Sequence, residues 1–443
     1  MKGLVLFNTL GRKLEVFKPV KKNLVRIYVC GPTVNDVPHL GHARQQIVFD
    51  VLRKYLKFLK YKVKFVSNIT DIEDKIINRA KELNEDIKKL TARNLKVHLE
   101  DYKSIGVDKP DVQPKATEYI KEMIDLIKKL EKKGYTYIIK DDGVYFDISK
   151  FKNYGKLSGQ NIKELKSSRI GIKEEKRNKE DFVLWKLSKK GEPSWESPFG
   201  SGRPGWHIEC SAMSSSTLGL PLDIHGGGQD LIFPHHEDEI AQSEAGYGKK
   251  FVNYWMHNGM VNVDRIKMSK SLGNFKSIRG LLKDYPGNVI RYFVISTHYR
   301  NPIDFSKQAM DDANNSYDRL KNIISGIKND KKINNNYLDK FEGAMNSDLN
   351  TSKALSVLWE LVRDEKASGK YETIKKIDSV FGLDLLKKEK INIPDEIKEL
   401  VDEREKARKN KDWKKADELR NIIAKKGWSL NDTAEGPVIH KST

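Results

Sequence analysis

Four stretches of this 443-residue chain carry residue types at spacings that could do chemistry. Pro38-His39-Leu40-Gly41-His42 sits where a loop runs into a helix. A helix N-terminus offers free N–H groups and the positive end of the dipole, a natural phosphate site. The imidazoles of His39 and His42 can donate to phosphate oxygens, and Gly41 leaves room for a nucleotide ring against the backbone. Lys267-Met268-Ser269-Lys270-Ser271 places two lysines three apart among small residues, a cationic loop suited to charge building on a leaving pyrophosphate. In His225-Gly226-Gly227-Gly228-Gln229-Asp230 the glycines permit close backbone approach, and Asp230 could accept from ribose hydroxyls. The last stretch is His235-His236-Glu237-Asp238-Glu239, read as the start of a helix after Pro234 with acidic residues in its first turn. Residues four apart share a helix face, so His235 pairs with Glu239 whereas His236 pairs with Ile240. With Cys30 and Cys210, His235 and Glu239 make a Cys, Cys, His, Glu tetrad of the kind that holds zinc.

The elements that must position these groups are legible in outline. Leu4–Phe17 alternates as a hairpin, and Arg26–Cys30 is a short β-rich run. Ile47, Val48, Val51, Leu52, Tyr55, Leu56 and Leu59 then recur at helical spacing, and Lys62–Asn68 is another strand. Strand, turn, helix, strand is a βαβ pattern and implies a parallel sheet. An amphipathic helix (Ile120–Leu130), a hairpin-like stretch (Tyr135–Phe146) and a charged linker (Ile162–Asp181) follow. No Lys occurs between Gly191 and Gly248, although that segment holds four of the ten His, so something other than solvent lines it. From about Phe305 the pattern is helices with Asn- and Lys-rich connections.

The H-x-G-H element upstream of a KMSKS pentad resembles the paired signatures of class I aminoacyl-tRNA synthetases, and the likeness narrows to the cysteinyl-tRNA synthetases. It is carried by CGPTVNDVPHLGHAR (30–44), NITDIEDKIINRA (68–80), GVYFD (143–147), YGKLSG (154–159) and PGWHIECSAMS (204–214). DIHGGGQDLIFPHHEDEIAQSEA (223–245), YWMHNGMVNVDRIKMSKSLGNF (254–275) and RYFVISTHYRNPIDFS (291–306) complete it. The likeness spans nearly the whole chain and thins toward the C-terminus. It implies an α/β fold with a Rossmann-type parallel-sheet catalytic domain in two halves, 1–120 and 201–262, split by a connective insertion at 121–200. A stem-contact region carrying the KMSKS loop (263–306) and an all-helical anticodon-binding domain (307–443) would follow.

The resemblance also implies a reaction: ATP-dependent activation of L-cysteine to cysteinyl-adenylate, then transfer to the 3′-terminal ribose of the tRNA for cysteine. His39, His42, Lys267 and Lys270 match the catalytic positions. Thr33, Gly41, Gly227, Asp230 and Lys270 match those that hold the nucleotide, and Gly31, Thr70 and Trp206 those that meet cysteine. Cys30, Cys210, His235 and Glu239 match the zinc ligands, with one Zn²⁺ per chain and ATP arriving with Mg²⁺. Zinc has a physical purpose there, because cysteine must be told from serine, which differs by one atom. A site built on a bond that one substrate cannot make can discriminate 10⁴–10⁵-fold, on the order of 6 kcal/mol. Asn35 stands where the family commonly has Tyr, and Gly436-Pro437-Val438-Ile439-His440 replaces its usual Gly-Thr-x-Trp-Arg ending. Trp428, Asp432, Arg420, Lys425 and Lys426 are the candidates for anticodon contacts.

Composition fits a globular nucleic-acid partner. Lys plus Arg number 82 against 62 Asp plus Glu, a net of +20, and residues 1–300 hold 54 basic and 36 acidic residues, a net of +18. A field of that sign favours a polyanion. Two cysteines 180 residues apart are no disulfide scaffold. No apolar run reaches the roughly 18 residues of a membrane helix, so a cytoplasmic enzyme without membrane association is expected, and a monomer is expected with it. Two other functions share parts of this pattern. A ligase joining cysteine to an amino sugar would have the zinc pocket but no use for the helical C-terminal region. A non-catalytic RNA-binding paralogue would have lost a motif residue, yet His39, His42, Lys267 and Lys270 are all present.

Overall fold

Leu24–Val29 and Lys62–Ser67 are rich in β-branched and aromatic residues, and the Leu40–Phe58 helix between them is buried around most of its circumference, Arg44, Asp50 and Arg53 included. They form the expected βαβ unit, the two strands pairing in parallel from Leu24 opposite Lys62 to Val29 opposite Ser67. In this computed structural model the described residues are 3–160, 175–268, 273–387, 394–433 and 436–441. Most of the expected 162–181 linker, Lys270 with Ser269, Ser271 and Leu272, and part of the 387–390 connection lie outside them.

The chain divides into two compact units, Met1–Leu385 and Leu386–Thr443. At the centre of the first is a four-stranded parallel sheet in the order Val252–Asn258, Leu222–Gly228, Leu24–Val29, Lys62–Ser67. From Leu24–Val29 the chain moves outward to Lys62–Ser67, then returns to add Leu222–Gly228 on the opposite side. The strand order therefore reverses between Leu24–Val29 and Leu222–Gly228, and the crevice beyond their C-terminal ends is where open α/β sheets bind ligands. Cys30 and Gly228 lie at those ends. Two glycines let the backbone close there: a Cβ on Gly31 would overlap the Asn68 carbonyl oxygen, and one on Gly226 would overlap the Phe49 ring.

An antiparallel sheet of Thr136–Ile139, Gly143–Phe146, Phe182–Leu187 and Gly202–Pro204 grows from the segment between the two halves of the central sheet. Beyond it, Val261–Val263 pairs with Ile266–Lys267 and with Ile303–Phe305. Helices Lys307–Ser325, Asn335–Asn346, Thr351–Arg363 and Lys370–Phe381 complete this unit. The second unit is helical through Asp395–Lys409 and Trp413–Lys425, then ends in a hairpin of Trp428–Thr433 against Gly436–Lys441 instead of continuing as helix. Gly427 turns the chain at positive φ, and Trp428 and Leu430 alternate inward with exposed Ser429, a two-residue period that suits a strand.

Candidate active site and metal centre

Cys30 ends the Leu24–Val29 strand, Cys210 lies on the Trp206–Leu218 helix, and Glu239 lies in the first turn of the Glu237–Tyr247 helix. With His235 their donor atoms all lie within 4.8 Å of one another, and all four residues are buried. Cys30 Sγ is 3.5 Å from Cys210 Sγ and 3.4 Å from Glu239 Oε1, and His235 Nε2 is 3.2 Å from the same carboxylate oxygen. Zinc bonds of about 2.0–2.3 Å put tetrahedral donors roughly 3.3–3.8 Å apart. The tetrad read from the sequence thus comes together as a buried cluster that could hold a metal ion, and its three closest donor pairs are near the spacing zinc needs.

A second quartet is equally convergent: Cys30, His225, His236 and Glu239. The sequence reading had turned His236 toward Ile240, because it started the helix just after Pro234. The regular helix starts at Glu237, and Ile232–His236 forms a wider turn before it. That turn brings His236 Nε2 to 3.3 Å from Cys30 Sγ and 3.9 Å from Glu239 Oε1. His225, at mid-sheet opposite both Tyr28 and Trp255, places Nε2 3.1 Å from Glu239 Oε2. More imidazoles stand behind these. His257 Nε2 is 2.7 Å from His236 Nδ1, and His207 Nδ1 is 2.9 Å from His235 Nδ1. The sequence reading assigned none of His207, His225, His236 and His257 to the site; the concentration of His in the Lys-free segment hinted at the first three, and His257 lies beyond that segment.

Burial dominates the protonation of this cluster. It raises the Cys30 and Cys210 thiols, and for Cys30 the neighbouring Cys210 and Glu239 add to the effect. It holds His235 and His236 well below the usual imidazole range, and His207 and His257 down at about 3. Neutral imidazoles keep the lone pairs a metal needs, and coordination to a cation is what turns buried thiols into thiolates.

The corner that carries the first motif is built from two distant segments. His39 is the N-cap of the Leu40–Phe58 helix: its Nδ1 accepts from the Gly41 N–H at 3.0 Å, and His42 Nδ1 accepts from the His39 N–H at 3.2 Å. The two rings stack with centroids 3.8 Å apart. Gly41 lies beneath the His39 ring and beside the Met268 methyl group, so the second motif meets the first. The Leu40 N–H donates to the Lys276 carbonyl at 2.9 Å, and the Ile278 N–H donates to the Pro38 carbonyl at 3.0 Å. Lys267 lies exposed on the short Ile266–Lys267 strand, while Lys270 is outside the described residues.

Around the crevice, Thr33 bridges to Thr70, whose buried hydroxyl donates to Glu209 Oε2 at 2.7 Å. The Gly31 N–H donates to Asn68 Oδ1 at 2.8 Å. Trp206 stacks on His235 with centroids 4.2 Å apart. Gly227 packs against His236 and Leu231, and Asp230 is exposed just beyond. In the second unit Trp428 is only 7% exposed and belongs to the apolar core with Ile397, Val401, Ile423 and Leu430. Asp432 is held by Arg404 at 2.8 and 2.9 Å and by Arg408 at 2.8 Å. Arg420, Lys425 and Lys426 are exposed, Lys426 with Glu396 at 2.6 Å. The aromatic ring that faces solvent is Trp413, 61% exposed, in a stretch (404–415) where seven of twelve residues are Lys or Arg.

The parallel sheet, with a helix start that meets the second motif at Met268, is the frame of a class I aminoacyl-tRNA synthetase. Residues 16–315 match the family described as the tRNA synthetases class I (C) catalytic domain. The same architecture occurs in Mycobacterium tuberculosis methionyl-tRNA synthetase in complex with methionyl-adenylate, with a TM-score of 0.59 at 14% identity, over 81% of this chain and 90% of that one. Residues 340–386 match the DALR domain, and 392–435 match the cysteinyl-tRNA ligase anticodon binding domain. Cysteine–tRNA ligases of Finegoldia magna and Thermodesulfovibrio yellowstonii are each 47% identical; the first aligns over 99% of both chains, the second over 96% of this chain and 97% of its own. The chain belongs to the cysteine–tRNA ligases, as the sequence resemblance implied, and is an enzyme of that family. Among the described residues no helix is long and apolar enough to cross a membrane.

Proposed function

We propose that this chain activates L-cysteine with ATP, recognises it by its thiol at a zinc ion, and passes it to the terminal ribose of its tRNA. The observation that carries this reading is the buried Cys30, Cys210, His235, Glu239 cluster at the strand ends, in the same crevice as the helix N-terminus bearing His39 and His42. Zinc held there would supply a centre that takes a thiolate and has little affinity for a serine hydroxyl. Gly31, Thr70 and Trp206 surround the place where the rest of the amino acid would lie. The carboxylate oxygen attacks the α-phosphorus of Mg²⁺-ATP, forming a new P–O bond as the bond to the β-phosphate oxygen breaks and pyrophosphate leaves. His39 and His42 use Nδ1 for capping at the helix start, and their imidazoles would donate to the phosphate oxygens bound there. Lys267 and Lys270 add positive charge as pyrophosphate departs. Thr33, Gly41, Gly227 and Asp230 hold the nucleotide, and a ribose hydroxyl of the tRNA then attacks the acyl carbon with release of AMP. Positioning and charge stabilisation account for the rate, without an acid–base pair.

ATP–pyrophosphate exchange tests the reading, run with cysteine, with serine and with no amino acid, before and after zinc is removed and restored. Exchange that needs cysteine, is lost with the metal and returns with it supports the whole scheme. Exchange that survives metal removal keeps the adenylation step and overturns the account of selectivity.

A further inference from the structure

Six arginines are buried among the described residues, and five of them meet an aspartate. Arg44, fully buried on the Leu40–Phe58 helix just after His42, is the exception. Its guanidinium goes to backbone carbonyls instead: Nη1 donates to Met260 at 2.7 Å, and Nη2 donates to Tyr299 at 3.1 Å and to Asn301. Burial brings its pKa down to about 10, so it stays charged at neutral pH and these bonds are charge-assisted. A buried guanidinium without a carboxylate is costly, and such breaches of the local rules gather at functional sites.

The three carbonyls mark the root of the strand pair that leads into the KMSKS segment. Met260 immediately precedes Val261–Val263, which pairs with Ile266–Lys267 and with Ile303–Phe305. The turn carrying Tyr299 and Asn301 meets the chain there: the Gly259 N–H donates to the Tyr299 carbonyl at 2.8 Å, and the Ile303 N–H to the Met260 carbonyl at 3.0 Å. That turn is itself fixed by Asp348, which accepts from the Tyr299 hydroxyl at 2.7 Å and from Arg300 Nε at 2.6 Å. Arg44 therefore locates the helix start against a frame that cannot follow it. The bonds of Leu40 and Pro38 reach the chain after the pentad, at Lys276 and Ile278, whereas Arg44 reaches it before, at Met260. The two sets bracket the pentad.

We infer that Arg44 is a positioning residue for the adenylation step, its guanidinium fork holding the strand that ends in Lys267 in register with His39 and His42. Lysine in its place keeps the charge but lacks the planar fork that spans separate carbonyls. The inference rests on the adenylation reading given above and names a residue that acts through Lys267 without touching substrate.

ATP–pyrophosphate exchange and urea unfolding are measured together for Arg44→Lys and for Arg53→Lys. Arg53 is a buried arginine further along the same helix that meets Asp111 and the Lys109 carbonyl, neither of them in a motif. Arg44→Lys should lower kcat about 10²-fold, the scale of an ångström of misplacement, and leave KM for cysteine within about 2-fold. Arg53→Lys should lose stability and keep its kcat. Lys267→Ala lowers kcat as well, and adding Arg44→Lys to it should cost less than about 3-fold more, because both changes remove one action. Gly259→Ala disturbs the same root with Arg44 intact and serves if Arg44→Lys does not fold. Its Cβ would lie 2.5 Å from the Asn301 carbonyl oxygen and 2.7 Å from that of Arg300, and it should show the same loss of kcat with KM for cysteine unchanged. Wild-type kcat in whichever root variant folds, an equal loss in Arg53→Lys, or full additivity with Lys267→Ala would each overturn the inference. No exchange from wild type itself would instead strike the functional reading.

Discussion

Two ligand quartets share Cys30 and Glu239 and differ in whether Cys210 and His235 or His225 and His236 complete the set. One carboxylate oxygen, Glu239 Oε1, is 3.2 Å from His235 Nε2 but 3.9 Å from His236 Nε2, and two thiols bind zinc more strongly than one. We therefore expect His235→Ala to retain less than about 0.2 zinc per chain after desalting. His236→Ala should still load close to one zinc at saturation, with affinity lowered about 10–100-fold, the usual consequence of removing a group that supports a ligand. Metal content by atomic emission checks this, and the reverse pattern would assign the site to His225 and His236.

The Leu40–Phe58 helix is the element that joins the two motifs to the sheet, and its seat depends on Gly226. A Cβ there would overlap the Phe49 ring and bear on the Met256 carbonyl oxygen. Gly226→Ala should destabilise the protein by about 1–3 kcal/mol through overpacking and should lower cysteine-dependent pyrophosphate exchange, because the helix start carrying His39 and His42 shifts with Phe49. Urea unfolding and the exchange assay measure the two effects. In the second unit, the helix beginning at Trp413 presents that ring to solvent beside Lys411, Lys414 and Lys415, whereas Trp428 is committed to the core. Trp413→Ala should reduce kcat/KM for tRNA about 10-fold, the scale of one lost base stack, while exchange stays at the wild-type level. Unchanged charging would remove Trp413 from the RNA-binding surface.

At the scale of the molecule, a buried ion pair is among the ties between the catalytic sheet and the helical region of the first unit, beside the Tyr55 hydroxyl on Asn346 and the Phe7 N–H on Asp348. Arg291 Nη2 is 2.5 Å from Asp50 Oδ2 on the Leu40–Phe58 helix, and the same guanidinium donates to the Phe381 and Gly106 carbonyls. Lys54 adds a contact at 2.8 Å. Burial alone would raise the Asp50 carboxyl, but Arg291 and Lys54 outweigh it and hold it below the ordinary value. A depressed carboxyl contributes stability that is fully present above its unfolded value, near pH 4, and is lost as pH falls through the folded value. Asp50→Asn should accordingly lower unfolding stability by about 3 kcal/mol at pH 7, the cost of stranding a buried guanidinium, and the difference from wild type should shrink below about pH 4. Urea midpoints at pH 7 and pH 3.5 give the comparison.

The sequence by itself determined the βαβ core, the two signature motifs, the Cys30, Cys210, His235, Glu239 tetrad and the family. Most of this is written in local order, as a strand period, a helix start, an i,i+4 pair or a string of motif residues; Cys30 and Cys210, 180 residues apart, were joined to the pair by residue type and by the resemblance, and the fold brings the four together. What it did not determine depended on packing between distant segments. His236 reached the cluster as an i,i+3 neighbour of Glu239, which pairing by four had passed over, and the sheet set His225 opposite Tyr28 on the strand that runs into Cys30, far away in sequence. Trp413 and Trp428 are the same residue type fifteen positions apart, each with lysines close by in sequence. Only the folded unit shows that one is core and the other surface, because burial is a property of what packs against a side chain and not of its neighbours along the chain.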